Sequence, residues 1–198
     1  MTDARTIAFY DGAAAAYDDF VARETPDADL TTFMTLLPEG ARVLDLGCGP
    51  ARASAHMRAA GFLPDPVDAS EGMVALANET HAIGARVMTF DDLDVAAAYD
   101  AVWANFSLLH APRADLPRHL AAIARALRPG GVLHIGMKTG AGDLRDRIDR
   151  FYTLVSVEEL HSLLRDAGFT ILSHREGAER GCAGTMDPYV IVLSRCDG

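Results

Sequence analysis

The sequence predicts an α/β fold: an open, doubly wound sheet of about seven strands, mostly parallel, with a C-terminal antiparallel hairpin and helices on both faces. Three observations lead there. Apolar runs of strand length alternate with segments of helical period along most of the chain. Four successive runs end in an Asp or Asn, the position where open α/β sheets hold their ligands. The last two runs, 169–174 and 189–194, are joined too closely for a helical crossover, so they pair as a hairpin. The 198 residues suit one domain, able to bury roughly 70% of its unfolded surface.

Each element has its own signature. Residues 9–21 read as a helix with Ala13, Ala16, Tyr17, Phe20 and Val21 on one face. Asp27 or Asp29 caps a second helix striped by Leu30, Phe33, Met34 and Leu37, which Pro38-Glu39-Gly40 ends. Val43-Leu44-Asp45-Leu46 is a buried strand running into Gly47-Cys48-Gly49 and then a helix carrying Ala53, Met57 and Ala60. Residues 62–67 form the second strand, expected to be short or irregular because Pro64 and Pro66 remove ladder donors. Asp68 ends it, and a helix from Ser70 carries Met73, Leu76 and Ala77. A third strand, 86–90, ends at Asp91-Asp92-Leu93, and a fourth, 99–104, at Asn105. Leu116, Leu120, Ile123 and Leu127 mark a helix stopped by Pro129-Gly130-Gly131, before a fifth strand at 132–137. Ser156 and Glu159 form a capping-box pattern ahead of a helix bearing Leu160, Leu163 and Leu164, closed by Gly168.

Composition narrows the function. Acidic residues number 28 against 18 basic, for a net charge of −10, which argues against unaided binding to nucleic acid or anionic membranes. The three cysteines, Cys48, Cys182 and Cys196, are an odd number without metal-ligand spacing, so reduced thiols in a cytoplasmic protein and no metal are expected. No apolar run approaches the ~20 residues that cross a bilayer, and the first residues show no signal peptide. The expected partner is a small molecule, met as a monomer or homodimer.

The glycine turn selects the ligand. Glycines allow a sharp turn and close approach of a ligand, and the following helix aims unpaired N–H groups at it. A dinucleotide turn asks for G-x-G-x-x-G; Gly47 and Gly49 fit, but the third position is Arg52, where close helix packing needs glycine. Asp45 would repel a pyrophosphate and suits a cationic ligand, as S-adenosylmethionine is through its ammonium and sulfonium.

DLGCGPA at 45–51 resembles the first motif, D/E-x-G-x-G-x-G, of the class I S-adenosylmethionine-dependent methyltransferases, with Ala51 in place of the last glycine. V-D-A-S-x-x-M at 67–73, LRPGG at 127–131 and EL-x-x-LL-x-x-AGF at 159–169 extend the likeness over nearly the whole chain, to small bacterial-type members with methyltransferase domains 11 and 25. The resemblance implies a Rossmann-like fold and a single domain over 1–198: a helical lid at 1–40, a cofactor core at 41–137, and a substrate-side region at 138–198. It implies cofactor contacts at Tyr17, Asp45, Gly47, Cys48 and Gly49. Asp68 would hold the ribose, with Ala69, Ser70 and Met73 beside it. Asp91 or Asp92 would meet adenine with Leu93 on the ring, and Asn105, by its carbonyl or side chain, the methionine ammonium, next to Phe106. The residues alone allow plainer roles, Asp68 as a helix cap and Asn105 as a turn residue.

Methyl transfer mainly needs donor and nucleophile aligned. His110 is the candidate base, ahead of His134 in mid-strand. Tyr10, His110, Lys138, Arg145 and Tyr152 are candidate substrate contacts. The alternative for the basic set, with Arg147 and Arg150, is pairing with Asp143, Asp146 and Asp149 on a solvated helix. The expected activity is methyl transfer to a small acceptor. The rivals are a non-catalytic cofactor-binding module acting through a partner and, less well supported, a nicotinamide-dependent oxidoreductase.

Overall fold

The protein is described from a computed structural model covering residues 3–22 and 24–198. Two helices come first, α1 (Ala4–Val21) and α2 (Ala28–Thr35), capped by the side chains of Asp3 and Asp27. The alternating core follows: β1 (Arg42–Leu46), α3 (Arg52–Ala59), β2 (Leu63–Asp68), α4 (Glu71–His81), β3 (Arg86–Val87), β4 (Tyr99–Asn105), α5 (Leu116–Ala126) and β5 (Leu127–Lys138). A small hairpin, β6 (Asp143–Arg145) and β7 (Phe151–Thr153), precedes α6 (Val157–Asp166), β8 (Phe169–Arg180) and β9 (Met186–Cys196). No helix among the described residues is long and apolar enough to cross a membrane.

Seven strands form one sheet in the order β3-β2-β1-β4-β5-β9-β8. The β1–β2, β1–β4, β2–β3 and β4–β5 pairs are parallel; β9 runs antiparallel to β5 and β8. Chain direction across the sheet reverses between β1 and β4, the switch point where such sheets open a crevice. Leu116, Leu120 and Ile123 of α5, with Leu160 and Leu164 of α6, bury one sheet face through Leu44, Leu46, Val102, Leu133 and Ile135. Leu30 and Phe33 of α2 and Met57 of α3 cover the other through Val43, Ala101 and Trp103. Each such side chain, fully buried, contributes about 1.5–3 kcal/mol.

Four expectations are corrected. The second strand is regular, paired with β1 from Leu63 to Val67. Leu63 donates its N–H to Ala41 on the β1 side, so by alternation Pro64 and Pro66 face the flank where β3 pairs only with Val67 and Asp68. No ladder donor is lost there. The third strand stops at Val87, because Thr89 and Asp92 close a reciprocal cap on a 3₁₀ turn at Phe90–Asp92. The fifth strand begins at Leu127, pairing with Tyr99 before a register shift. The segment after Lys138 is the β6–β7 hairpin and not a helix.

Candidate functional site

The β1–α3 turn lies at the switch point. Gly47, Gly49 and Ala51 all have positive φ, at 77°, 52° and 57°. Gly47 is obligatory because an added Cβ would overlap Ser107, whose hydroxyl donates to the Leu46 carbonyl. Ala51 holds a left-handed conformation that costs a non-glycine residue about 1–2 kcal/mol, so the departure from the glycine pattern is tolerated at the price of local strain. Asp68 accepts from the N–H groups of Gly49 (2.8 Å) and Ser70 (2.9 Å), tying the turn to the start of α4.

Asp45 is 2% exposed and accepts from Ser54 Oγ at 2.7 Å. No cationic side chain pairs with it among the described residues. Burial pushes its pKa up to about 7 against the opposing Ser54 hydrogen bond, and nearby Asp68 adds to the rise. Burial likewise raises Asp68. Beside them lies a cavity of about 740 Å³, walled by the glycine turn, Trp103 and Asn105 of β4, Tyr10 and Tyr17 of α1, and the extended β8–β9 hairpin.

One wall is a chain of hydrogen bonds. His110 Nδ1 lies 2.6 Å from the Phe151 carbonyl, which can only accept, so Nδ1 carries the proton. Nε2 then accepts from the Tyr10 hydroxyl at 3.0 Å, and Arg150 donates to that hydroxyl oxygen at 3.2 Å. Burial pushes His110 down to about 4, leaving the imidazole neutral. Arg150 is also bound to Asp146 and lies over the rings of Phe9 and Tyr152. Lys138 sits 3.9 Å above the Tyr152 ring and pairs with Asp187 at 2.6 Å.

The structure divides the sequence-predicted residues into two groups. Tyr10, Tyr17, Asp45, Gly47, Cys48, Gly49, Asn105, Phe106, His110, Lys138 and Tyr152 line the cavity. Asp68, Ala69, Ser70, Met73, Asp91, Asp92 and Leu93 lie outside it, and Ser70 and Met73 are 1% exposed. At the start of α4 the cause is α1, packed across it: Asp11 accepts from Ser70 Oγ at 2.6 Å and Gly72 N–H at 3.0 Å. Ser70, rather than Asp68, caps α4. Asp91 pairs with Arg118, and Asp92 closes its cap on Thr89. Arg145 is turned away from the cavity, bound to Asp3 and Asp149. His134 does not line the cavity; it stacks on Trp103 and reaches Asn105.

Sequence reasoning missed the hairpin wall, including Asp187, Tyr189 and Arg175, and missed Trp103 as a wall residue. Trp103 sits two residues before Asn105 on β4 and therefore shares its face, a signal that period-two alternation could have supplied. Among the described residues, no group of His, Cys, Asp and Glu could hold a metal.

Comparison with known proteins agrees with this geometry. The family profile described as "Methyltransferase domain" matches residues 43–131. Malonyl-[acyl-carrier protein] O-methyltransferase of Pectobacterium atrosepticum is 34% identical over 122 residues, 61% of this chain and 48% of that protein. 27-O-demethylrifamycin SV methyltransferase of Amycolatopsis mediterranei is 30% identical over 210 aligned residues, 96% of this chain and 74% of that protein. This chain therefore spans about half the length of the first relative and about three quarters of the second. The crystal structure of Burkholderia thailandensis 1,6-didemethyltoxoflavin-N1-methyltransferase, with 1,6-didemethyltoxoflavin and S-adenosylhomocysteine bound, shares the fold at a TM-score of 0.71 and 24% identity, over 97% of this chain and 88% of that one. Sheet order, glycine turn and similarity along nearly the full length lead to one assignment: the chain belongs to the class I S-adenosylmethionine-dependent methyltransferases.

Proposed function

We propose that this protein transfers a methyl group to a small-molecule acceptor by in-line displacement. The observation that carries the reading is Asp45: a buried carboxylate with no cationic partner among the described residues, beside a glycine turn and open to a large cavity. Such a group is costly unless a ligand brings the positive charge. S-adenosylmethionine, when bound, supplies an electrophilic methyl group on a sulfonium. Asp45 would hold its ammonium, the Gly47-Cys48-Gly49 backbone would lie along it, and Tyr17, Asn105 and Phe106 would flank it. Asp68 with Ala69, Ser70 and Met73 would take the ribose, and Asp91 or Asp92 with Leu93 the adenine. Because α1 covers the start of α4 through Asp11, the ribose role requires α1 to lift and re-dock around the adenosine, whereas Asp91 and Asp92 are already exposed.

Tyr10, His110, Lys138 and Tyr152 line the acceptor side. His110 Nε2 is the basic atom there. An acceptor hydroxyl replacing Tyr10 at Nε2 would be held for attack and could lose its proton to that nitrogen. The cavity volume fits a small acceptor, and the names of the two relatives, both O-methylations, favour an oxygen nucleophile. The free thiols Cys48, Cys182 and Cys196 fit the cytoplasm.

The test is calorimetric titration with S-adenosylhomocysteine, with NADH as control, followed by labelled methyl transfer to a panel of small hydroxylated and carboxylated molecules. Binding of the first alone, followed by transfer, is expected. Binding without transfer to any acceptor would support the non-catalytic module instead, and binding of neither ligand would overturn the reading.

A further inference from the structure

The parallel register places Asp45 of β1, Trp103 of β4 and His134 of β5 side by side. In the next row, Asn105 stands beside Gly136. His134 is fully buried, stacked on Trp103 with ring centroids 3.6 Å apart and planes 17° apart. Its Nε2 lies 3.0 Å from Asn105 Oδ1, and its Nδ1 has no partner among the described residues. Burial holds the imidazole neutral, its pKa pushed down to about 3, so the ring carries one N–H. That proton belongs on Nε2, the nitrogen facing an acceptor, because a buried N–H with no partner would forfeit a hydrogen bond. Gly136 makes room for this arrangement, since a Cβ there would come 2.8 Å from Asn105 Oδ1.

With Oδ1 turned onto the His134 ring, the Nδ2 amino group is turned away from it, and Asn105 lines the cavity. The amide so held can donate its Nδ2 N–H groups to a ligand. Asp45, one strand away and two positions earlier in register, is the acceptor. An α-amino acid presents the matching pair, an ammonium and a carboxylate on one carbon. We infer that His134 is a positioning residue, locking the Asn105 amide so that its N–H donates to the carboxylate of the cofactor's amino-acid end while Asp45 takes the ammonium. The inference rests on the cofactor reading above and adds to it the group that recognises the carboxylate.

The experiment is calorimetric titration of the full chain with S-adenosylhomocysteine and with its analogue in which the carboxylate is replaced by hydrogen. The wild type should prefer the carboxylate form by about 10-fold to 100-fold, the range for a hydrogen bond to a charged group. Asn105→Ala and His134→Leu should reduce that preference to under about 3-fold, mainly by weakening S-adenosylhomocysteine. His134→Gln, which keeps an N–H near the Nε2 position, should restore most of it. Near-UV circular dichroism checks folding; if His134→Leu does not fold, Asn105→Ala and His134→Gln carry the comparison. A wild-type preference retained in Asn105→Ala, or equal weakening of both ligands in His134→Leu, overturns the inference and leaves the cofactor reading intact. Failure of the wild type to bind either ligand overturns both.

Discussion

Asp45 should make cofactor binding depend on pH near neutrality. Its carboxyl is raised to about 7 in the ligand-free chain, and an ammonium beside it favours the ionised form. Binding at pH 6 must therefore expel the proton that about nine in ten molecules carry there, against about one in ten at pH 8. Affinity for S-adenosylhomocysteine should fall about 10-fold from pH 8 to pH 6. Titrations at pH 6 in buffers of different ionisation enthalpy should show about 0.9 proton released per ligand. Asp68 is also raised, so Asp45→Asn is the control: it should bind more weakly and lose most of the pH slope. The same shift acts on folding. Because the folded-state pKa lies above the unfolded value, the ligand-free protein keeps this contribution fully below pH 4 and loses it as pH rises towards 7. Asp45→Asn should then be the more stable protein at pH 8, by up to about 4 kcal/mol, seen in urea unfolding. Proton release that is absent, or the same in Asp45→Asn, would refute the reasoning.

Three further outcomes are expected. Gly47→Ala combines a left-handed backbone with overlap on Ser107 and should lose about 2–5 kcal/mol in denaturant titration; a loss below 1 kcal/mol would mean that the turn has room to relax. His110, neutral with its proton on Nδ1, should show that tautomer by nitrogen NMR and no titration between pH 5 and 8, whereas an imidazolium signal growing in near pH 6.5 would contradict the Phe151 and Tyr10 contacts. Asp11→Ala removes the hydrogen bonds from α1 to the start of α4 and should speed hydrogen exchange in α1 several-fold, for a loss of about 1 kcal/mol; unchanged exchange would place the hold on α1 elsewhere.

The core of the sheet was legible because β1 and β4 are largely apolar runs whose polar residues near the strand end face the cavity. Asp45, Gly47, Gly49 and Asn105 were found in that way. The parts that escaped depend on contacts distant in sequence. Arg145 was expected on the substrate side, but Asp3, 142 residues away, holds it elsewhere. The docking of α1 over Asp68 rests on Asp11 meeting Ser70 and Gly72, a pairing that no local pattern encodes. Pro64 and Pro66 were expected to disrupt β2 and do not, because the flank they face is the one where β3 pairs only with Val67 and Asp68. The orientation of the Asn105 amide could not be read locally, because its contact is with His134, 29 positions later.

The two prolines of β2 also bear on how the folded protein meets its own copies. Since β3 contributes only two residues, most of the outer flank of β2 is an unprotected sheet border. A bare row of backbone donors and acceptors there would invite a strand from another molecule to add on. Pro64 and Pro66 delete alternate donors along that row. Asp65, between them, binds Arg42 of β1, Arg86 of β3 and the Tyr99 hydroxyl of β4, tying β2 to strands on either side. Two residues that a propensity scale would score as flaws thus leave this border a poor template for a further strand.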